Sequence, residues 1–345
     1  YGGVSRYFLE LAYNLPNVDP DLVTTIVAPF HVNSLLQEGA TSGKVNVVGI
    51  KLPSFPGKHH VLPMMNRFVG GSVLRKRKPD IIHETYYTDA PVSFNCPRIL
   101  TVFDVIHERY YDQFTGVDRK IPQLKAHAID RADHIITIST STRDDIIKLF
   151  NIAPEKVSVV HLASSLKMQQ QNNGNTRRRN PYILYVGLRS GVKNFRKLLE
   201  VYTSSKFLHE NYDLLCVGGG KFSEDEEKVK LQAGLAQKIL QVEADDWLLA
   251  NLYANAEVFV YPSLYEGFGI PILEAMQCGC PVVCSNTSSM PEIAGKAALY
   301  FDPHDQDGIR SALESVLNSA EIAEQLRQKG YTQAGNFSWE RCAAQ

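Results

Sequence analysis

VFVYPSLYEGFGIPILEAMQCGCPVVCSNTSSMPEI, residues 258–293, decides how the chain is read. It opens on an apolar run, Val258 to Tyr261, bounded by Pro262, which predicts a short buried strand. A glycine-containing loop follows, Ser263 to Ile270. Pro271 then stands where a helix takes its first residue, and Ile272, Leu273, Ala275 and Met276 continue it. Gly279 stops that helix, and Pro281-Val-Val-Cys284 predicts the next strand. Strand, loop, helix, strand is the unit of a parallel sheet. In such a sheet the loop lies at the carboxyl end of the strands, where ligands bind.

Two carboxylates frame the loop: Glu266 within it and Glu274 in the helix, with seven residues between them. Gly267 and Gly269 flank Phe268, so backbone N–H groups can approach a ligand closely. A helix start adds unpaired N–H groups and a positive dipole end, which suit an anion or sugar hydroxyls. A carboxylate accepts two hydrogen bonds from a vicinal diol. The chemistry predicted is a polyol held by carboxylates beside a phosphate. Glu266 as a solvated loop residue and Glu274 as a favourable first-turn charge fit the spacing equally well.

The 345 residues predict two domains. A formal charge of -1 argues against a general nucleic-acid binder, and no run of 18 apolar residues offers a membrane span. No signal peptide is recognised, and six cysteines in apolar contexts point to a reduced cytosolic protein. Cys278, Cys280 and Cys284 lack a histidine at ligand spacing, so no metal site is assigned. The chain begins at Tyr1 inside a glycine motif, and the first strand of its N-terminal domain is expected to be missing.

Outward from the central stretch, strands and helices alternate. Residues 24–28, 45–50, 81–83, 99–103 and 134–138 read as parallel core strands, 157–163 as the last strand of the N-terminal domain, and 62–76 as a helix. That helix ends in Arg75-Lys76-Arg77-Lys78, which reads as a solvated helix end or as a contact with anionic lipid. Tyr86 and the run Asp104, His107 and Glu108 follow strands directly, so aromatic, acidic and histidine side chains share the carboxyl edge. Ser141 and Asp144 resemble a capping box. The polar run around residues 166–180 is the clearest linker. After it, Tyr182 to Val186 predicts a strand. It leads into Gly187, Arg189 and Lys193, a glycine loop with cations at a helix mouth that suits a diphosphate. Strands follow at 214–217 and 238–242, and Asp245 and Asp246 open a helix.

The segment YPSLYEGFGIPILEAMQCGCPVV, continued by SNTSSMPEIAGKAALYFDP, resembles the E-x7-E signature of retaining glycosyltransferases of family 4. The resemblance implies a GT-B fold, two Rossmann-like α/β domains facing across a cleft. The expected bounds are 1–165 for the acceptor-side domain, 166–180 for the linker, 181–330 for the donor-side domain, and 331–345 for a C-terminal helix crossing back. It also implies a donor site. Gly3, in GGVSRYF, and Gly187 would face the donor diphosphate. Lys193 would sit on its phosphates with Arg189, although the family's arginine commonly follows the glycine directly, where this chain has Leu188. Glu274 would hold the ribose, and Glu266 the donor sugar, in a pocket shaped by Gly267, Phe268, Gly269 and Ile270. Val242 and Leu248 would contact the base. Many members carry His-Asp after the strand that here ends in Phe103-Asp104, so His107 is the candidate replacement. Asp104, His107, Glu108 and Tyr86 are the acceptor-side candidates.

The implied activity is transfer of a hexosyl unit, glucosyl from a UDP-sugar by family frequency, to a saccharide or lipid-linked acceptor in surface polysaccharide assembly. The catalytic set is Glu266, Lys193, Arg189, Asp104 and His107, with no metal and no cofactor beyond the nucleotide sugar. GDP-mannose-dependent mannosyl transfer is the alternative, and a nucleotide-sugar-binding protein without turnover is the rival from another class. The expected location is cytoplasmic, with peripheral contact at the inner membrane face through the helix ending at Lys78.

Overall fold

The computed structural model of the protein describes residues 3–41, 43, 45–55, 58–89, 91–166 and 180–345. The linker expected at 166–180 therefore lies, apart from its two ends, outside the described residues.

Among the described residues twelve short strands form three parallel sheets. In the C-terminal half β7 (Tyr182–Val186), β8 (Asp213–Val217), β9 (Ile239–Val242), β10 (Val258–Tyr261), β11 (Val282–Ser285) and β12 (Ala298–Phe301) assemble in the order β12-β11-β10-β7-β8-β9. The central strands β7 and β10 are continuous apolar runs, as expected where helices cover both sheet faces. Alternate residues of β7 show it: Leu184 packs toward Leu273 and Met276, whereas Ile183 and Tyr185 pack toward Leu198 and Leu313. Strand order reverses between β7 and β10, which opens a crevice at their carboxyl ends.

In the N-terminal half β3 (Ile82–Glu84), β4 (Arg98–Val102), β5 (His134–Thr137) and β6 (Val157–Val159) form one sheet. β1 (Ile26–His31) and β2 (Val47–Lys51) were expected in that core, but among the described residues they pair only with each other. A side chain occupies the place of a third strand. Asn66, on the helix Lys58–Arg77, donates to Phe30 C=O at 2.9 Å and accepts from Phe30 N–H at 2.8 Å. The N–H and C=O of Phe30 are thereby satisfied without a neighbouring strand.

The last two helices correct the expected 331–345 element. The bound at 331 falls inside the helix Ala320–Ala334. A separate helix, Trp339–Ala344, starts at Ser338, whose side chain accepts from Arg341 N–H. Trp339 lies 6.3 Å from the Tyr7 ring and donates through Nε1 to Ser165 Oγ at 2.8 Å. The chain's end thus packs on its first helix, Gly3–Val18. Among the described residues no helix is long and apolar enough to cross a membrane.

Candidate active site

The loops leaving β7 and β10 meet in the crevice. After β7, Gly187 takes φ +141°, a conformation glycine adopts without strain. A tight turn at Gly191–Lys193 leads to Asn194, which donates to Pro262 C=O at 3.0 Å and Pro303 C=O at 2.9 Å. Leu264 N–H donates to Val192 C=O at 2.7 Å, which joins the two loops directly. Lys193 Nζ then reaches both oxygens of Glu266, at 2.7 and 2.8 Å. Glu266 is buried, and its backbone is fixed by Ser288 and Ser289. Its N–H donates to Ser288 Oγ at 3.2 Å, and its carbonyl accepts from both hydroxyls.

Gly269, at φ +104°, turns the loop into the helix Ile270–Gln277. Glu274 projects from its second turn and accepts from Tyr253 Oη at 3.2 Å. Burial pushes its carboxyl up to about 7, against the Tyr253 bond and the nearby Arg6 charge, which both pull it down. Gly3 abuts the start of the same helix: a methyl group there would stand 3.6 Å from Ile270 Cδ1. Val242 ends the edge strand β9, and Leu248 lies in the following helix, Asp246–Asn255, which also carries Tyr253.

Three residues expected here behave otherwise. Arg189 does not face the crevice. Its buried guanidinium donates at 2.7 Å to each of the Gly218, Gly220 and Lys221 carbonyls, reaches Glu226, and lies 4.4 Å over the Phe222 ring. A guanidinium has five N–H donors, and these bonds use most of them. Arg189 therefore plugs a glycine loop, and its donors are committed there instead of to a leaving diphosphate. Phe268 turns its ring into the core, 5.9 Å from Phe337, so only its backbone borders the crevice. Glu108 pairs with the fully buried Lys125 at 2.8 Å, and the same ammonium donates to Asp104 C=O at 2.7 Å. Both groups hold the turn after β4 instead of facing an acceptor.

Asp104 does reach the site. A methyl group on Gly267 would stand 1.8 Å from Phe103 O and 3.0 Å from Asp104 Cβ, so the two halves touch backbone to backbone beside Glu266. Asp104 Oδ1 accepts from Ile106 N–H at 3.0 Å. Tyr86, half-exposed and packed on Tyr87, has its hydroxyl pKa raised by burial and by Asp104. His107 stacks on Phe114 at 4.2 Å, and no described contact joins it to the Glu266 loop.

Sequence reading missed the clasp around this loop. Ser139 Oγ donates to Gly267 C=O at 2.7 Å, with Thr142 Oγ1 at 3.3 Å. Tyr265 Oη donates to Asp145 at 2.7 Å, and Arg109 pairs with the same carboxylate. The helix Thr140–Phe150 is capped by Ser139, not by the Ser141–Asp144 pair expected. Glu292 assists from the other half, accepting from Thr140 N–H at 2.8 Å and from His161 at 2.7 Å. Any serine of the Ser139-Thr-Ser141 run makes a plausible cap, and partners over a hundred residues away leave no local signal. Among the described residues no group of three His, Cys, Asp or Glu side chains could hold a metal ion.

Residues 1–163 match the family model described as Glycosyltransferase Family 4, and residues 167–333 the one described as Glycosyl transferases group 1. The chain is 36% identical over 238 residues, 63% of its length, to O-antigen chain mannosyltransferase B of Escherichia coli, and covers 60% of that protein. It is 31% identical over 234 residues, 66% of its length, to the MMP alpha-(1->4)-mannosyltransferase of Mycolicibacterium hassiacum, covering 54% of it. The chain thus spans less than two thirds of these relatives. Among solved structures, sucrose-phosphate synthase from Thermosynechococcus elongatus superposes with a TM-score of 0.76 at 19% identity, over 99% of this chain and 91% of that one. That likeness concerns the fold.

Proposed function

The chain belongs to the family 4 glycosyltransferases, and on that premise we propose that its crevice moves a mannosyl unit from GDP-mannose to an acceptor hydroxyl with retained anomeric configuration. The observation that carries the reading is the meeting of Lys193, Glu266 and Glu274 around one helix start at the switch point. Mannose replaces the glucosyl expectation because both relatives described above are mannosyltransferases by name. O-antigen chain synthesis, named for one of them, supports a role in surface polysaccharide assembly.

In this reading the acceptor oxygen forms the new C1–O bond as the C1–O bond to the diphosphate breaks, the acceptor's proton passes to the leaving phosphate oxygen, and Lys193 with the N–H groups at the helix start stabilises the charge that grows on that oxygen. Glu274 accepts from the ribose diol and Glu266 from the donor-sugar hydroxyls. Glu266 is given no nucleophilic role in this reading: it holds hydroxyls while the acceptor oxygen attacks. Asp104 orients the acceptor hydroxyl, with Tyr86 beside it. No metal takes part.

The acceptor is a saccharide, free or lipid-linked, met at the cytoplasmic face of the membrane. The helix Lys58–Arg77 supports peripheral contact there, since it exposes Val61, Met64 and Phe68 and ends in Arg75, Lys76 and Arg77.

Thermal stabilisation by GDP, UDP and ADP in EDTA tests the donor assignment. A ligand at a hundredfold its dissociation constant adds about 2.7 kcal/mol to the folded state. GDP is expected to raise the melting temperature most, and an equal response to all three would sink the base assignment.

A further inference from the structure

With Arg189 spent on the glycine loop, Lys193 stands at the donor loop with its charge already opposed by Glu266. A nucleoside diphosphate brings two phosphate groups, and charge-assisted bonds from ammonium or guanidinium are the strong way to hold them. The fold brings another cation to the crevice from the opposite half.

The helix Gly3–Val18 begins against Ile270, the first residue of the donor helix. Arg6 lies one turn along it and donates to Asp246 Oδ2 at 2.9 Å. Asp246 starts the helix whose Tyr253 bonds Glu274. The positive charge of Arg6 is felt at the Glu274 carboxyl. Arg6 therefore stands at the Glu274 side of the donor helix, and Lys193 at the Glu266 side. The pair Arg6–Asp246 is poorly buried, with side-chain exposures of 34% and 63%. Ion pairs this open contribute little to stability, so a phosphate can displace the carboxylate at small cost.

We propose that Arg6 is a donor ligand whose guanidinium exchanges Asp246 for the phosphate next to the ribose, while Lys193 takes the phosphate next to the sugar. The inference rests on the donor reading above and adds to it a ligand from the acceptor-side half. That half would then close on the nucleotide itself, and Asp246 would hold Arg6 in place until the donor arrives.

The test is calorimetric titration of GDP and UDP into the full chain in EDTA, with Arg6→Ala, Arg6→Lys and Asp246→Asn alongside. Losing a charge-assisted bond predicts that Arg6→Ala weakens whichever nucleotide binds by about tenfold or more. Arg6→Lys should recover part of that loss. Asp246→Asn frees the guanidinium and should bind as tightly as the parent or tighter. Melting temperatures without ligand should agree among all four proteins. Arg6→Ala binding within about twofold of the parent would overturn the proposal. So would equal losses in Arg6→Ala and Asp246→Asn, because the pair would then be only a clasp between the halves. Failure of the parent to bind either nucleotide would remove the donor reading itself and this inference with it.

Discussion

Glu274→Gln separates what the donor site costs the empty protein from what it returns on binding. Burial holds the Glu274 carboxyl at about 7, against an ordinary 4.5. The folded state therefore keeps a proton that the unfolded chain loses as pH rises through 4.5. The folded state binds more protons over that window, so stability falls from about pH 4.5 to about pH 7 and levels off above. At 1.36 kcal/mol per tenfold, the loss is about 3 kcal/mol. Glutamine fills the same volume and never ionises. The melting temperatures of parent and variant should nearly coincide at pH 4.5, and the variant should melt higher at pH 8. Nucleotide affinity should move the other way. Ribose hydroxyls donate to the carboxylate form, so the parent should bind GDP about tenfold more tightly at pH 8 than at pH 6. The nucleotide's own phosphate also titrates, so the variant supplies the baseline. Identical pH profiles for parent and variant, in melting and in binding, would refute the reasoning.

Gly267→Ala should cut turnover by about a hundredfold, since its methyl group meets Phe103 O at 1.8 Å and must move the loop carrying Glu266 by about 1 Å. Its melting temperature should fall as well, because the atoms met are backbone and cannot swing aside, so turnover is compared on folded protein; a folded, fully active variant would show that the halves need not touch here. Arg189→Ala should act on stability, losing about 3 kcal/mol as three carbonyls are left unpaired and Glu226 keeps only the Ser223 N–H of its capping box. A variant that melts like the parent but turns over slowly would return Arg189 to the diphosphate. Tyr265→Phe removes the bond to Asp145 and should lower turnover more than it raises the donor KM, whereas a change in donor KM alone would mean the clasp does not position Glu266.

Much of the C-terminal half was legible because its strands are buried on both faces. Tyr182–Val186 and Val258–Tyr261 stand out as apolar runs between turn residues, and their bounds agree with the sequence reading. The helix opened by Pro271 and the glycines before it were legible for the same local reasons. Arg189 was not, because an arginine two residues past a glycine looks the same whether it faces a ligand or a loop thirty residues on. Glu108 was misread likewise, since its partner Lys125 lies in another helix. β1 and β2 carry ordinary strand composition, so nothing local separates them from the core sheet, and the Asn66 amide that occupies Phe30 comes from a helix 36 residues on. Side chains that act across the crevice, such as Ser139, Asp145 and Arg6, belong to a level of organisation that spacing along one segment cannot encode.

The central claim is tested most directly by incubating the protein in EDTA with GDP-mannose and methyl α-mannoside and measuring free GDP and the transferred sugar. The account predicts GDP release that requires the acceptor, yields an α-linked dimannoside, and is lost in Lys193→Ala. A folded protein that binds GDP yet transfers no mannose, with UDP-glucose equally inert, would contradict it and leave a nucleotide-binding protein without turnover.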